Sequence, residues 1–156
     1  DKDYIRGYGY QGGARRASWK RGMNNSEFGA IFKKQMTRFG DWSMGIMAFG
    51  EILPYAENRV TLNEEVKDKW GLPVLHIDAK IRENELKMRK DMQEEAVAML
   101  EAAGCTDVGG YEDTYAMAEG IHEMGTARMG TNPKDSVLNQ WNQVHEMNNV
   151  YVTDGC

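Results

Sequence analysis

The chain has 156 residues, of which 41% are apolar and 28% charged, and its formal net charge at pH 7 is −5. This length allows one domain with a core of its own, and the composition is ordinary for a globular protein. The negative charge argues against a general nucleic-acid binder, and no stretch approaches the roughly 20 apolar residues of a membrane-spanning helix. The first residues lack the basic-then-apolar pattern of a signal peptide.

The N-terminal residues 1–24 are rich in Gly, Arg and Tyr, and we predict a loop there. They include GYGYQG (7–12), which matches the G-x-G-x-x-G pattern of dinucleotide-binding turns. That turn needs an apolar strand before it and an apolar-periodic helix after it, and neither is present. Residues 26–39 place apolar side chains at i, i+3 and i+4 spacing after a possible cap at Asn25 or Ser26, which predicts an amphipathic helix.

Three strands are predicted in the next segment. Residues 43–55 form an apolar, partly alternating run, which indicates a buried strand that ends at Pro54. Residues 59–62 and 74–79 indicate two further strands, with a turn or short helix at 63–73 between them.

The strongest helical pattern covers residues 83–103, with acidic residues in the first turn and Gly104 where a C-cap belongs. The predicted stripe along this helix consists of Leu86, Arg89 or Lys90, Gln93, Val97 and Leu100, supported by Met92, Ala96 and Met99.

The C-terminal third has weaker patterns. Residues 111–118 indicate a strand that leads to His122, residues 136–147 a short helix or irregular loop, and residues 149–154 a strand. Helices and strands mix without regular βαβ alternation, so the predicted fold class is α+β. The chain stops at a strand-to-turn junction, from which we expect it to be a segment of a larger protein.

The stretch HEMGTARMG (122–130) places an imidazole just ahead of a glycine-rich turn and fits neither a strand nor a helix. Judged on spacing alone, His122 would be a hydrogen-bonded loop histidine. Turn residues follow at 131–136, and a predicted strand ends in Asp154-Gly155. The tip of a strand followed by a turn of small residues is a common place for a cofactor phosphate in α/β architecture.

These patterns together resemble a known family. H-x-x-G-T-x-x-M-G, then N-P-x-x-S-V, then N-V-Y-V-T-D-G is similar to the C-terminal signature of the glucose–methanol–choline (GMC) flavoprotein oxidoreductases. The resemblance is closest to the bacterial gluconate, fructose and glucoside dehydrogenases. The upstream run ENRVTLNEEVKDKWGLPVLHID (57–78) also fits, so the resemblance is specific over residues 50–155.

The resemblance implies a two-domain, FAD-dependent enzyme that oxidises a sugar or another primary or secondary alcohol. This chain would supply the substrate domain, an antiparallel or mixed sheet flanked by helices, and a C-terminal strand that returns to the FAD-binding domain. The expected parts are a lead-in loop and helix (1–45), the sheet and long helix of the substrate domain (46–120), and the histidine loop with the return strand (121–156). A missing FAD-binding domain, a sugar or alcohol substrate and an electron-transfer partner are the implied partners. Bacterial cytoplasm and periplasm are both compatible locations.

The resemblance also assigns roles to individual residues. His122 matches the catalytic histidine, the general base that accepts the hydroxyl proton while flavin takes the hydride. The residues assigned to cofactor binding are Gly125, Thr126, Asp154 and Gly155. The family's second catalytic residue, an Asn or His, would follow Cys156, so the segment alone is expected to be inactive.

Other candidate residues receive less specific interpretations. His145 and His76 are expected to be structural, and Arg128 either hydrogen-bonds the loop backbone or approaches the flavin. Glu123 is not expected to form a dyad with His122, because adjacent residues of an extended chain point apart. The three histidines and two cysteines show no metal-ligand spacing, so no metal site is predicted.

Two alternatives belong to other classes of function. The chain could be a non-catalytic module that binds carbohydrate or a partner, with Trp19, Trp42, Trp70 and Trp141 as stacking platforms, although most of these are expected in the core or an interface. It could also be one half of a split flavoenzyme that pairs with a separate FAD-domain chain.

Overall fold

The computed structural model describes residues 2–112, 117 and 122–155. By its internal contacts the chain divides into two compact units, Asp1–Leu53 with Arg82–Asp113 and Pro54–Ile81 with Thr114–Cys156. The elements in chain order are β1 (Tyr8–Arg16), a 3₁₀ helix (Trp19–Asn24), α1 (Gly29–Met36), β2 (Trp42–Gly50), β3 (Arg59–Lys67), β4 (Pro73–Asp78) and α2 (Glu83–Ala102). The α+β class is confirmed.

The first unit contains an antiparallel pair of strands, β1 and β2, in which Tyr8 lies opposite Gly50 and Arg16 opposite Trp42. The prediction of a loop over residues 1–24 was therefore wrong over Tyr8–Arg16 and Trp19–Asn24, and residues 8–12 of GYGYQG lie in a strand rather than a turn. A Cβ atom on Gly12 would lie only 2.2 Å from the carbonyl oxygen of Gly45. Glycine in this strand thus permits a close approach of two backbones.

Helix α2 packs against β2. Its buried residues are Glu85, Met88 and Met92, whereas Leu86, placed at the head of the predicted stripe, is 55% exposed. The helix bounds and the Gly104 cap, with φ of +85°, agree with the sequence. The predicted stripe is right in part, because Met92 is buried and Gln93, Val97 and Leu100 are half-buried, but the buried Glu85 and Met88 were not predicted. The sulfur of Met88 lies 2.5 Å from the position that a Cβ on Gly50 would occupy, so glycine at this position of β2 leaves room for the Met88 side chain.

The start of α2 is tied to the chain before it by a buried carboxylate. Glu85 accepts hydrogen bonds from the backbone N–H groups of Leu53 at 3.2 Å and Arg82 at 3.1 Å. Burial alone would raise the pKa of Glu85, but these donors and the Asn84 side chain stabilise the charged form, and the pKa is lowered.

The N-terminal residues are joined to α2 through Asp91. One carboxylate oxygen of Asp91 accepts from the hydroxyls of Tyr4 at 2.6 Å and Tyr8 at 2.8 Å, and the other pairs with the ammonium of Lys2. The Lys2 ammonium, with the Tyr4 hydroxyl, lowers the pKa of Asp91 to about 2. The segment predicted as loop is therefore anchored to the helix by charge-assisted hydrogen bonds.

Two further predictions in the first unit need correction. Helix α1 covers Gly29–Met36 rather than 26–39. It begins late because the Asn25 side chain accepts a hydrogen bond from the N–H of Glu27 at 2.8 Å, which forms a turn, and because Gly29 has φ of +68°. The strand predicted at 43–55 is present as β2, but it ends at Gly50 rather than at Pro54 and is largely exposed rather than buried. Its single partner strand and α2 cover only part of its two faces.

In the second unit β3 and β4 pair antiparallel, with Val60 opposite Ile77 and Leu62 opposite Leu75. The turn or short helix predicted at 63–73 is wrong over its first half, because β3 continues to Lys67. The reversal comes at Asp68, whose carboxylate accepts from the N–H groups of Trp70 and Leu72 at 2.8 and 3.0 Å.

Residues 122–155 of the second unit form an irregular segment around Leu138, which is 2% exposed. Leu138 bridges to both Met129 and Val144. Residues 136–147 are an irregular loop, one of the two forms predicted. Among the described residues, the strand predicted at 149–154 is represented by one isolated bridge, between Gln143 and Tyr151.

Two predictions have other outcomes. The strand expected at 111–118 lies mainly outside the described residues. All four tryptophans are exposed, by 66–74%, so none is in the core of this chain. Within the part of the chain that the structure describes, no helix is long and apolar enough to cross a membrane.

Candidate functional site

His122 lies in a stretch without regular secondary structure and is exposed. The backbone turns at Thr126, which is also exposed. Gly125 has φ of +95°, a conformation that L side chains rarely adopt, and no heavy atom lies within 4 Å of the position of a Cβ there. The loop therefore presents an imidazole and an open stretch of backbone to the outside of the unit.

The loop of residues 122–130 is close to the Asp154-Gly155 turn. A Cβ on Gly155 would lie 3.9 Å from Cγ and 4.0 Å from the sulfur of Met124. Met124 is two residues from His122, so the fold brings together two segments that the sequence separates by about thirty residues. Asp154 and Gly155 are exposed.

The far end of the same loop is held by backbone hydrogen bonds around Leu138. The N–H of Gly130 donates to the carbonyl of Leu138 at 2.8 Å, and the N–H of Leu138 donates to the carbonyl of Arg128 at 3.2 Å. The guanidinium of Arg128 donates to the carbonyl of Gly125 at 3.4 Å. Of the two roles open to Arg128 from the sequence, the structure has the hydrogen bond to the loop backbone.

His145 lies beside this loop support. Its Nε2 is 3.0 Å from the hydroxyl oxygen of Ser136, which also donates to the carbonyl of Asn132 at 2.6 Å. A Cβ on Gly130 would lie 2.7 Å from Cβ of Ser136. The hydrogen-bonding role expected for His145 is thus seen, and Ser136 is a residue that the sequence analysis missed. The Asn-Pro turn before it was the available signal.

The remaining histidine, His76, is exposed and lies on β4 opposite Thr61. In the sequence it is more than forty residues from His122. Among the described residues there is no group of three or more His, Cys, Asp or Glu side chains arranged to hold a metal ion. Cys105 is a free, half-buried thiol.

Comparison with known proteins shows which family the sequence matches. Residues 54–156 match the family model described as GMC oxidoreductase. This range contains the histidine loop, the Leu138 support and the Asp154-Gly155 turn.

Three curated proteins are similar to the chain. A 2-methyl-1,2-propanediol dehydrogenase from Mycolicibacterium austroafricanum is 39% identical over 120 residues, covering 75% of this chain and 21% of the relative. A paromamine 6'-oxidase from Streptomyces fradiae is 34% identical over 65% of this chain and 18% of the relative. The fructose dehydrogenase large subunit of Gluconobacter japonicus is 27% identical over 86% of this chain and 25% of the relative.

The chain thus spans between about a fifth and a quarter of the length of these relatives, which are named as dehydrogenases and an oxidase. The family model matches about two thirds of the chain, and the signature motifs lie within the matched range. This chain belongs to the GMC oxidoreductase family, and residues 54–156 correspond to its C-terminal domain.

Proposed function

We propose that this chain is part of an FAD-dependent oxidoreductase that converts a sugar or another alcohol to a carbonyl compound, with His122 as general base. The observation that carries the proposal is the position of His122 on an exposed loop whose Met124 side chain lies beside Gly155, with its Cγ 3.9 Å from the position of a Cβ there. Residues of two separate motifs are thereby available to one ligand.

The role of His122 follows from the chemistry of the oxidation. An alcohol carbon loses a hydride, and its hydroxyl loses a proton, so that the C=O bond forms. An exposed imidazole can reach the hydroxyl of a bound substrate and accept that proton near neutral pH. The proton then remains on His122 until solvent or a later step removes it.

The chain's own residues fit a flavin on two grounds. The main chain at Gly125 is open because nothing lies within 4 Å of a Cβ there, so a flat ring could approach it closely. Thr126, Asp154 and Gly155 are exposed on the two segments that meet at Met124, where their polar groups could hold the cofactor. FAD, when bound, accepts the hydride.

The substrate class is supported by the names of the relatives. One is named for a diol, one for paromamine and one for fructose. All three names describe molecules with hydroxyl groups on saturated carbon. We extend this class, an alcohol or sugar hydroxyl, to the present chain.

Additional polypeptide is part of the proposal, because this chain covers only 18–25% of the length of the matched relatives. An FAD-binding domain, in the same chain or in a separate one, would supply the flavin. One relative is named as a large subunit, which supports a partner subunit for the assembled enzyme. We propose electron transfer as the role of that partner.

The test is a His122→Ala substitution in the intact enzyme, with steady-state turnover and bound flavin measured together. Loss of a general base is expected to lower kcat by about 10²–10⁴-fold, while the visible flavin absorbance per protein stays unchanged. His76→Ala is the matched control, because His76 is an exposed histidine on β4. Turnover within about twofold of the parent enzyme in His122→Ala would exclude His122 as the base.

A second candidate, a carbohydrate-binding module, is favoured by the exposure of the four tryptophans. Against it, the Lys69 ammonium lies 4.2 Å from the ring centre of Trp70, and the Arg16 guanidinium lies 5.7 Å from that of Trp42. Each cation lies over one face of its ring and competes with a sugar for that face. Calorimetric titration with simple sugars in the absence of FAD distinguishes the two, since only the module is expected to release heat.

A further inference from the structure

Ser136 and His145 form a polar pair beside the loop of residues 122–130. We propose that His145 is a positioning residue for this loop, acting through Ser136, with its imidazole in the Nε2–H tautomer. The inference rests on the proposed function in one respect, namely that the loop carries the general base His122.

The tautomer follows from the single hydrogen of the Ser136 hydroxyl. Its oxygen lies 2.6 Å from the carbonyl oxygen of Asn132 and 3.0 Å from Nε2 of His145. A carbonyl oxygen can only accept, so the hydroxyl hydrogen points to Asn132, and the hydroxyl oxygen accepts from Nε2–H. In the neutral imidazole, Nδ1 is then the unprotonated nitrogen.

The same assignment excludes a nucleophilic role for the pair. A serine nucleophile needs an imidazole that takes its proton, with the ring nitrogen as acceptor. Here the imidazole donates to Ser136, and the serine proton is held by the Asn132 carbonyl. The pair is therefore a structural hydrogen bond whose donor is His145.

Ser136 transmits the position of His145 to the loop through Gly130. A Cβ on Gly130 would lie 2.7 Å from Cβ and 2.8 Å from the hydroxyl oxygen of Ser136, so the serine side chain rests directly against the Gly130 main chain. The N–H of His145 also donates to the carbonyl of Val137 at 3.1 Å. Side chain and backbone of His145 thus hold the same short segment.

From that segment the contacts continue toward His122. The N–H groups of Val137 and Leu138 both donate to the carbonyl of Arg128, and the Arg128 guanidinium donates to the carbonyl of Gly125, three residues from His122. Removal of the Nε2–H donor leaves the Ser136 oxygen without its second partner. The loop then loses a constraint on its orientation, while the chemical groups of the reaction remain in place.

The functional test compares two substitutions at His145 in the intact enzyme. His145→Leu is expected to lower kcat by about 10–100-fold with little change in KM and in flavin content, because a small misplacement of a catalytic group is costly. His145→Gln, whose side-chain amide can donate in place of Nε2–H, is expected to recover most of that loss. His76→Leu is the control and is expected to leave kcat unchanged.

Two readouts do not depend on turnover. The ¹⁵N spectrum of the His145 imidazole is expected to show a protonated Nε2, and amide exchange at Gly130 and Leu138 is expected to accelerate in His145→Leu but not in His76→Leu. Ser136→Ala is a smaller change and is expected to accelerate exchange of the same amides. It replaces His145→Leu in this test if His145→Leu does not fold. An Nδ1–H tautomer of His145 would overturn the inference. So would unchanged amide exchange at Gly130 and Leu138 in both His145→Leu and Ser136→Ala.

The outcomes for His122 and His145 are separable. Normal turnover in His122→Ala would end the assignment of the general base, whereas the tautomer and the exchange rates would still test the support of the loop. Conversely, a loss of activity in His145→Leu that Gln does not recover, with exchange unchanged, would contradict positioning by His145 and leave the general-base proposal standing.

Discussion

The sheet–helix contact of the first unit and the loop segment of residues 122–155 are held in different ways. Helix α2 lies on β2 through apolar side chains, with Met88 1% exposed, and it is linked to the N-terminal residues by the carboxylate of Asp91. The loop segment has one buried apolar residue, Leu138, and is otherwise held by backbone and side-chain hydrogen bonds.

This difference matters because the two kinds of contact respond differently to mutation. Apolar burial contributes free energy in proportion to area, so its loss appears in global stability. Individual hydrogen bonds contribute little net stability but define direction and distance. Loss of a single hydrogen-bonding atom is therefore expected to change the local geometry of the segment that carries the candidate site. The same change is expected to leave the stability of the first unit unaltered.

The largest effect is expected from Met88→Ala, which removes the side chain that fills the space above Gly50. The expected loss is about 2–5 kcal/mol in the free energy of unfolding, from lost burial and the cavity left behind. Denaturant titration followed by far-ultraviolet circular dichroism measures it. Met47→Ala is the control, because Met47 lies on β2 but is mainly exposed. Equal losses in both variants would contradict the assignment of Met88 to the core.

A smaller and more local effect is expected from Gly130→Ala. The added methyl would lie within 3 Å of the Ser136 side chain, and overpacking of this kind costs about 1–3 kcal/mol. Amide exchange of residues 128–138 should accelerate, while that of α2 stays unchanged. Gly109→Ala is the matched control, since nothing lies within 4 Å of a Cβ there. Faster exchange in α2 would show that the two regions are not independent.

The smallest effect is expected from the pH dependence conferred by Asp91. Its pKa is lowered from 3.8 to about 2, so its contribution to stability is complete above pH 3.8 and is lost as the pH falls toward 2. The difference in thermal midpoint between the parent and Asp91→Asn is therefore expected to narrow between pH 5 and pH 2. A difference that stays constant over this range would refute the ion pair with Lys2 as a source of stability.

Local patterns were sufficient for the elements with strong periodicity or clear caps. Helix α2 and strand β4 lie within one or two residues of their predicted bounds, and Gly104 ends the helix in the left-handed conformation. Strand β1 was missed because its pairing partner, β2, comes about thirty residues later, and tyrosine, glycine and arginine do not produce an apolar alternation. Long-range pairing overrides such weak local preferences.

The inward face of α2 shows a different limitation. Apolar residues lie on more than one side of this helix, so periodicity alone allows a stripe that includes Leu86 as well as one that includes Met88. The choice between them depends on the partner surface. Gly50 in β2 leaves room for the sulfur of Met88, and that room exists only once β2 is folded.

For the candidate site, the motif pattern alone identified His122, Gly125, Thr126 and the Asp154-Gly155 turn as the residues to consider, and it identified the family. Motifs can do this because reaction chemistry constrains residue type and local spacing. The contact of Met124 with Gly155 and the hydrogen bond from His145 to Ser136 were decided by the tertiary structure. Distances between residues far apart in sequence depend on how the intervening chain folds, and residue spacing carries no information about them.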